Sequence, residues 1–364
     1  IKDEAPNAEA DITGISFEAD ILANSYIDLN PSYDESQNAY PIRISVKEGT
    51  DMTKLAPIFE LTPGATISPA NGSVQNFTTS VRYTVTSEDK AWHRVYAITV
   101  REQKASNIPT TYHFEKVRIQ KNIWQEFYEE QESGDELTWA SGNSGFKLAM
   151  SEAKTEEYPT VQSANGKVGK CAKLETRSTG EFGNMVGMPI AAGNLFIGNF
   201  SILNAIADPL GATRFGTPFY NKPLRLTGYY KYKSGEKFYE HGEYTSRKDI
   251  FNIYAIFYDG VKYDSAGKRT DVTLDGNLPN QNYEHPNMVA LALVSNPQET
   301  EGDEWKFFDI PFDYQRYGKK IDEARLAKGE YKIGIIFASS KDGATFEGAP
   351  GSTLLIDEVE LIYE

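Results

Sequence analysis

Apolar and polar side chains alternate with a period of two along most of this chain, which is the pattern of β-strands with one buried face. In the first part of the chain, the alternation runs through residues 12–17, 42–46, 81–86 and 95–100. Turn signals such as Pro63-Gly64 and Asn71-Gly72 separate these segments. Several short strands joined by turns predict an immunoglobulin-like β-sandwich over residues 1–104.

The second part of the chain, residues 112–364, has longer strand patterns and few helix signals. Helix patterns are limited to residues 120–133 and 321–328. Strand patterns run through residues 171–176, 224–233, 250–259, 288–295, 305–312, 331–339 and 353–363. There is no alternation of strands with helices, so we expect a second sandwich, a β-jelly-roll. The predicted fold class is all-β, and the polar segment 105–111 (ASNIPTT) is predicted to be a linker.

The chain ends on a Gly-rich turn segment and a long apolar strand, residues 339–364. A terminal strand of this kind is typical of a closed β-sandwich, in which the last strand completes a sheet. Its backbone groups are then paired with neighbouring strands and are not left on an exposed edge. Asp357 and Glu358 interrupt the strand. We expect the Asp357 carboxylate either to bind a structural calcium or to accept backbone hydrogen bonds from a loop.

Composition excludes several classes of function. The 364 residues include 52 acidic and 37 basic side chains, and a net charge of −15 repels nucleic-acid phosphates. Cys171 is the one cysteine and has no His near it in sequence, which favours a buried structural thiol over a nucleophile. The His residues lack zinc-binding spacing, and no run of about 18 apolar residues could span a membrane. Apart from calcium at Asp357, no cofactor is predicted.

Short sequence segments in both parts of the chain resemble known families. LAPIF (55–59), PGATISP (63–69) and VRYTVT (81–86) resemble Ig-like modules on surface glycan-handling proteins of gut-dwelling Gram-negative bacteria. The second part resembles the putative carbohydrate metabolism domain family, PCMD, through WASGNSGF (139–146), AGNLFIGNF (192–200), GYYKYKSG (228–235) and SSKDGATF (339–346).

This resemblance implies an exported protein of glycan utilisation, in the periplasm or at the outer-membrane surface, often as a lipoprotein. The implied partner is a poly- or oligosaccharide, bound on or near the concave face of the jelly roll. The Ig-like part is expected to be a spacer or to dock proteins of a glycan-uptake system. Membrane attachment would use a lipid anchor absent from this chain, whose first residue, Ile1, is expected to follow processing or trimming.

Sugar sites combine aromatic rings, which stack on apolar C–H faces, with polar side chains that bond hydroxyl groups. In the strand pattern that begins at Cys171, alternate residues from Ala172 onward face one way. The opposite face presents Lys173, Glu175 and Arg177. This charged face is predicted to be either a solvated surface or a polar binding floor, with Glu175 and Arg177 as sugar ligands.

The other candidate sugar ligands are aromatic residues and one amide. Asn252 and Tyr254 lie on the polar face of the strand pattern 250–259, and Tyr229 lies in the pattern 224–233. The same residues would also suit packing between strands. Trp139 lies in a Gly-rich run, where it would either stack on a sugar from an exposed loop or cap the edge of the sandwich.

Our first interpretation is a carbohydrate-binding protein without chemistry. The alternative is a glycoside hydrolase or lyase with Glu175 as acid or base, which needs a second carboxylate about 5–10 Å away. A second alternative is a structural or adhesin subunit of the cell surface.

Overall fold

The computed structural model describes residues 6–121 and 123–364, which form two compact units, one ending at Ala105 and the other spanning Ser106–Tyr363. The fold is all-β, as predicted, and the helices between the strands are short. Within the described residues, no helix has the length and apolar character needed to cross a membrane.

The first unit is a small β-sandwich. Its strands are β1 (Ile12–Ser16), β2 (Tyr40–Val46), β3 (Ile58–Leu61), β4 (Thr66–Ser68), β5 (Val81–Thr86) and β6 (His93–Glu102). One sheet has the order β2-β6-β5-β4, with β2 parallel to β6, and β1 pairs with β3. Alternate residues of each strand, such as Ile42, Ile44, Tyr83, Val85 and Ile98, are buried in a shared core, which is why the period-two pattern predicted these strands.

The second unit contains the remaining strands. They are β7 (Thr111–Tyr112), β8 (Val117–Gln120), β9 (Trp124–Glu130), β10 (Glu136–Thr138), β11 (Thr160–Ser163), β12 (Cys171–Glu175), β13 (Arg177–Ser178), β14 (Ile190–Ala191), β15 (Asn194–Phe196), β16 (Gly198–Phe200), β17 (Thr213–Phe215), β18 (Thr217–Pro218), β19 (Pro223–Lys233), β20 (Phe238–Glu240), β21 (Glu243–Thr245), β22 (Asn252–Asp259), β23 (Val261–Tyr263), β24 (Arg269–Asp271), β25 (Leu274–Asp275), β26 (Met288–Leu293), β27 (Lys306–Pro311), β28 (Tyr331–Ala338) and β29 (Thr353–Tyr363).

Short helices connect these strands. The α-helices are α1 (Asn143–Ala149), α2 (Gly180–Met185), α3 (Pro209–Ala212) and α4 (Glu323–Ala327). Single 3₁₀ turns are found at Thr155–Glu157, Ile202–Asn204, Pro279–Gln281 and Gly343–Thr345. The helix predicted at 321–328 corresponds to α4, where the Asp322 side chain accepts hydrogen bonds from the N–H groups of Ala324 and Arg325.

Two large sheets face each other across the core of the second unit. Sheet A has the order β11-β12-β29-β19-β27, with β7 also paired to β29, and sheet B has the order β15-β28-β22-β26, with β18 paired to β28. Side chains from both inner faces fill the core, among them Leu174, Tyr230 and Ile356 from sheet A and Ile253 and Ile335 from sheet B. The final strand, β29, lies between β12 and β19, so the chain end completes sheet A.

The prediction of a helix over residues 120–133 is wrong. Strand β9 lies within this segment, and Asn122 is outside the described residues. Glu129 occupies an inward position of β9, where its carboxylate accepts a hydrogen bond from the Phe114 N–H at 2.7 Å. Burial raises the pKa of Glu129, and the Phe114 N–H opposes this rise. A charged residue at a buried position hides the alternation by which a strand is recognised.

Residues 106–111, most of the segment predicted to be a linker (105–111), are part of the second unit. Ile108 is buried in the core of that unit, and the Thr110 carbonyl accepts a hydrogen bond from the Leu361 N–H at 2.8 Å. One apolar residue in a polar run was too weak a signal to predict this packing.

Candidate functional site

The outer face of sheet A presents the charged residues of β12. Ala172 and Leu174 are fully buried in the core, so Lys173 and Glu175 point outward by the period of two. Glu175 Oε2 contacts Lys173 Nζ at 2.9 Å and Arg177 Nη2 at 3.4 Å. The Glu175 and Arg177 side chains remain 20% and 28% exposed, so both are accessible to a ligand.

Glu175 and Arg177 line a surface cavity of about 310 Å³, which we call the Glu175 cavity. Small-molecule sites are usually about 300–1,000 Å³ in volume. The lining residues are Phe146, Met150, Ala153, Glu157, Glu175, Thr176, Arg177, Ser178, Pro350 and Gly351. Apolar and polar groups therefore meet in one cavity, the combination that a sugar ring with its C–H faces and hydroxyl groups requires.

Arg177 has more hydrogen-bond donors than its contact with Glu175 uses. Its guanidinium carries five N–H donors, and the contact with Glu175 uses one of them. Its Nε is buried and has no hydrogen-bond partner within the described residues. Because the side chain as a whole is 28% exposed, the N–H groups that do not contact Glu175 are the donors available to a ligand oxygen.

A second carboxylate, Glu157, lines the same cavity. It lies at the end of the 3₁₀ turn Thr155–Glu157, and its Oε2 accepts a hydrogen bond from the Lys154 N–H at 2.6 Å. This bond closes the turn and fixes the direction of the side chain. Our reading of the sequence missed Glu157, because no local motif distinguishes it among 52 acidic residues.

A buried hydroxyl and carboxylate network holds the cavity wall. Asp249 Oδ2 accepts hydrogen bonds from the Ser340 hydroxyl at 2.6 Å, the Ser352 hydroxyl at 2.7 Å and the Ala349 N–H at 2.8 Å. The Thr176 hydroxyl in turn contacts the Ser340 hydroxyl at 2.5 Å. The network therefore connects Thr176 to the loop that supplies Pro350 and Gly351.

Burial raises the pKa of Asp249, because removal from water disfavours the ionised carboxylate. The hydrogen bonds from the Ala349 N–H and the two serine hydroxyls oppose this rise. Asp249 is another residue that the sequence analysis missed. Its partners lie about 90–100 positions further along the chain, so only the fold brings them together.

Tyr229 lies on the same outer face of sheet A but outside the Glu175 cavity. It is half-buried, its ring is 5.2 Å from that of Phe307 on β27, and Lys167 Nζ lies 5.0 Å above it. In the register of the sheet, Tyr229 is opposite Asp357 of β29. In the same register Glu175 is opposite Thr353, so Tyr229 lies away from Glu175 and does not form the wall of the candidate site.

Trp139 is a core residue. It is 1% exposed, and its ring packs at 5.0 Å from Tyr112 and 5.9 Å from Phe337. A ring enclosed in this way has no face available for a sugar, so we remove Trp139 from the candidate site.

Asn252 and Tyr254 lie on the outer face of sheet B, as their positions on β22 require, but this face is covered. The small sheet β16-β17-β25 and the residues after it pack there, and Tyr254 contacts Phe215 and Tyr283 edge-on. The side-chain N–H of Asn252 donates to the Tyr283 hydroxyl at 3.0 Å. Both residues are buried, so they form no open sugar platform; they line a second cavity on the outer side of sheet B, and Glu175 and Arg177 do not line it.

Asp357 is fully buried and bonded to backbone groups. Its carboxylate accepts hydrogen bonds from the Val168 N–H at 3.0 Å and the Glu358 N–H at 2.8 Å. These bonds anchor the loop before β12 at an irregularity in the β19–β29 register. No group of three or more His, Cys, Asp or Glu side chains in the part of the chain that the structure describes could hold a metal ion.

Cys171 is a buried thiol, as expected. Burial raises its pKa to about 12, so the reactive thiolate is disfavoured at neutral pH.

The fold and the site define an all-β protein of two units, of which the larger sandwich carries an amphipathic cavity. Residues 113–362 match the family model described as "Putative carbohydrate metabolism domain", and residues 27–100 match the model described as "SGBP, N-terminal". The first match covers well over half of the chain, so this protein belongs to the putative carbohydrate metabolism domain family. The resemblance identified from the sequence is confirmed.

Solved structures that are similar to this chain include two from Bacteroides species. One, described as a putative glycoside hydrolase from Bacteroides thetaiotaomicron, is 44% identical, with a TM-score of 0.64, over 100% of this chain and 99% of that chain. The other, described as a putative glycoside hydrolase from Bacteroides vulgatus, is 49% identical, with a TM-score of 0.66, over 71% of this chain and 100% of that chain. No curated protein matches the chain.

Proposed function

We propose that this chain is an exported carbohydrate-binding protein of glycan utilisation and that a sugar binds in the Glu175 cavity. One observation supports this proposal most. A single cavity is lined by the polar side chains of Glu175, Arg177 and Glu157 and by the apolar side chains of Phe146 and Met150. Carboxylates accept hydrogen bonds from sugar hydroxyls, and Arg177 donates to ring and hydroxyl oxygens. The apolar wall contacts the C–H face of the ring.

Binding of this kind is modest in affinity. Each sugar hydroxyl exchanges a hydrogen bond with water for one with the protein, and the net gain per bond is only about 0.5–1.5 kcal/mol. We therefore expect dissociation constants on the order of micromolar to millimolar for short oligosaccharides.

The proposal is tested by calorimetric titration with a panel of plant and host glycans. For the best ligand, Glu175→Gln should weaken binding about tenfold, since hydrogen bonds to a charged group are worth about 1.5–3 kcal/mol. Glu181→Gln is the matched control, because Glu181 is an exposed residue of α2 outside the cavity, and it should bind like the wild type. Equal affinities in all three proteins would refute the proposed site.

A glycoside hydrolase is the second candidate function. Two carboxylates, Glu157 and Glu175, line one cavity, and two relatives are described as putative glycoside hydrolases. A hydrolase needs one carboxylic acid to protonate the leaving oxygen and a second carboxylate as base or nucleophile. Reducing-end release is therefore measured on the titrated samples. Release that is lost in both Glu157→Gln and Glu175→Gln favours the hydrolase over the binding protein.

A further inference from the structure

A second cavity, of about 190 Å³, lies on the outer side of sheet B. We call it the phenyl cavity, because its lining includes Phe182, Phe196, Phe200, Phe215 and Phe346. The floor is built from buried residues of the sheet, among them Tyr254 and Ile336. Phe146 lines both this cavity and the Glu175 cavity, so the two are neighbours.

Exposed apolar side chains surround the phenyl cavity. Leu148 of α1, Phe182 of α2, Val186 and Ile206 all line it and are each more than a third exposed. Apolar side chains gathered around a concave opening are uncommon on a protein surface unless a ligand or partner covers them.

The charge of the phenyl cavity is opposite to that of the chain. Lys341 is the one charged side chain among the described residues that line the cavity, and it is exposed. Within the described residues it makes no ion pair, although the chain carries 52 acidic side chains. A lysine without an ion pair in the lining of an apolar cavity favours a ligand with an apolar body and an anionic end.

The volume of the phenyl cavity and the aromatic rings in its lining indicate which kind of apolar group the ligand carries. A cavity of about 150 Å³ lined by apolar side chains takes up a benzene molecule. The phenyl cavity is slightly larger, and its rings can pack edge-to-face on an aromatic guest, a geometry that adds to simple burial. We propose that the phenyl cavity is a binding site for an aromatic carboxylate, whose ring enters the cavity while its carboxylate pairs with Lys341.

This site goes beyond the proposed sugar site and does not depend on it. The probe is cinnamate, titrated calorimetrically into the full chain, with cinnamyl alcohol as its uncharged analogue and octanoate as its non-aromatic analogue. We expect cinnamate to bind more tightly than either analogue. Glu175→Gln should leave the cinnamate affinity unchanged, so failure of the sugar proposal and failure of this one are distinguishable.

Two variants connect the binding to the cavity. Ala205→Trp places a large ring at a half-buried lining position and should abolish cinnamate binding. Its control is Leu203→Ser, which changes an apolar residue that is 91% exposed and outside the lining, and which should bind like the wild type. Comparison of their urea unfolding curves shows whether each variant is folded.

Lys341→Gln tests the charge. It should weaken cinnamate about fivefold or less, because an exposed ion pair is worth at most about 1 kcal/mol, and it should leave cinnamyl alcohol unchanged. Lys341→Arg should retain the preference for cinnamate. The proposal is overturned if cinnamate does not bind, if octanoate binds as tightly as cinnamate, or if a folded Ala205→Trp protein still binds it.

Discussion

At the scale of single residues, burial decides which candidates can serve as ligands. Glu175 and Arg177 were predicted from alternation on one strand, and the structure places both in one cavity. For Trp139 the sequence left two alternatives open, stacking from an exposed loop or capping the sandwich edge, because a Gly-rich run resembles an exposed loop. In the structure Asn143 in that run is buried and exchanges two hydrogen bonds with the backbone of Thr160, which holds the segment against the sandwich. A pairing between residues 17 positions apart has no local sequence signal.

The core position of Trp139 has a measurable consequence. Trp139→Ala should lower the free energy of unfolding by about 3–5 kcal/mol, the usual cost of removing a buried aromatic side chain. Urea denaturation followed by circular dichroism measures this loss. Trp92→Ala is the matched control, since Trp92 is 64% exposed, and its effect should be under about 0.5 kcal/mol. A small effect at Trp139 combined with lost sugar binding would return it to the site.

At the scale of elements, the strands were predictable and the loops that shape the site were not. Period two located β12, β22, β28 and β29 because alternate residues of each strand pack in the core between sheets A and B. The wall of the Glu175 cavity depends instead on Asp249, whose carboxylate joins residues that are distant in sequence. Such networks depend on the completed fold, so a sequence pattern cannot reveal them.

The Asp249 network predicts a pH dependence of stability. The folded-state pKa of Asp249 is raised above its ordinary value of 3.8. Its contribution to the free energy of unfolding is therefore fully present below the unfolded-state pKa and is lost as the pH rises through the folded-state pKa. Asp249→Asn removes this titration while it keeps the shape of the side chain.

Urea denaturation of both proteins between pH 4 and pH 8 measures the effect. The free energy of unfolding of the wild type, minus that of Asp249→Asn, should decrease as the pH rises, because the other titrating groups are common to both proteins and cancel. A difference that stays constant or increases with pH would show that burial does not raise the pKa of Asp249 in the folded state.

At the scale of the whole molecule, each unit has its own apolar core, and the candidate site lies within the second unit alone. The family match covers that unit, and it is the unit in which the chain end completes sheet A. The central claim is that the second unit binds a sugar through the accessible donors of Arg177.

The most direct test of this claim is the affinity of Arg177→Ala for the best glycan of the panel. Loss of charged hydrogen bonds worth about 1.5–3 kcal/mol should weaken binding roughly tenfold to a hundredfold. Arg214→Ala, a change at an exposed arginine outside the Glu175 cavity, should leave the affinity unchanged. An Arg177→Ala protein that unfolds like the wild type and binds the glycan equally well would contradict the account.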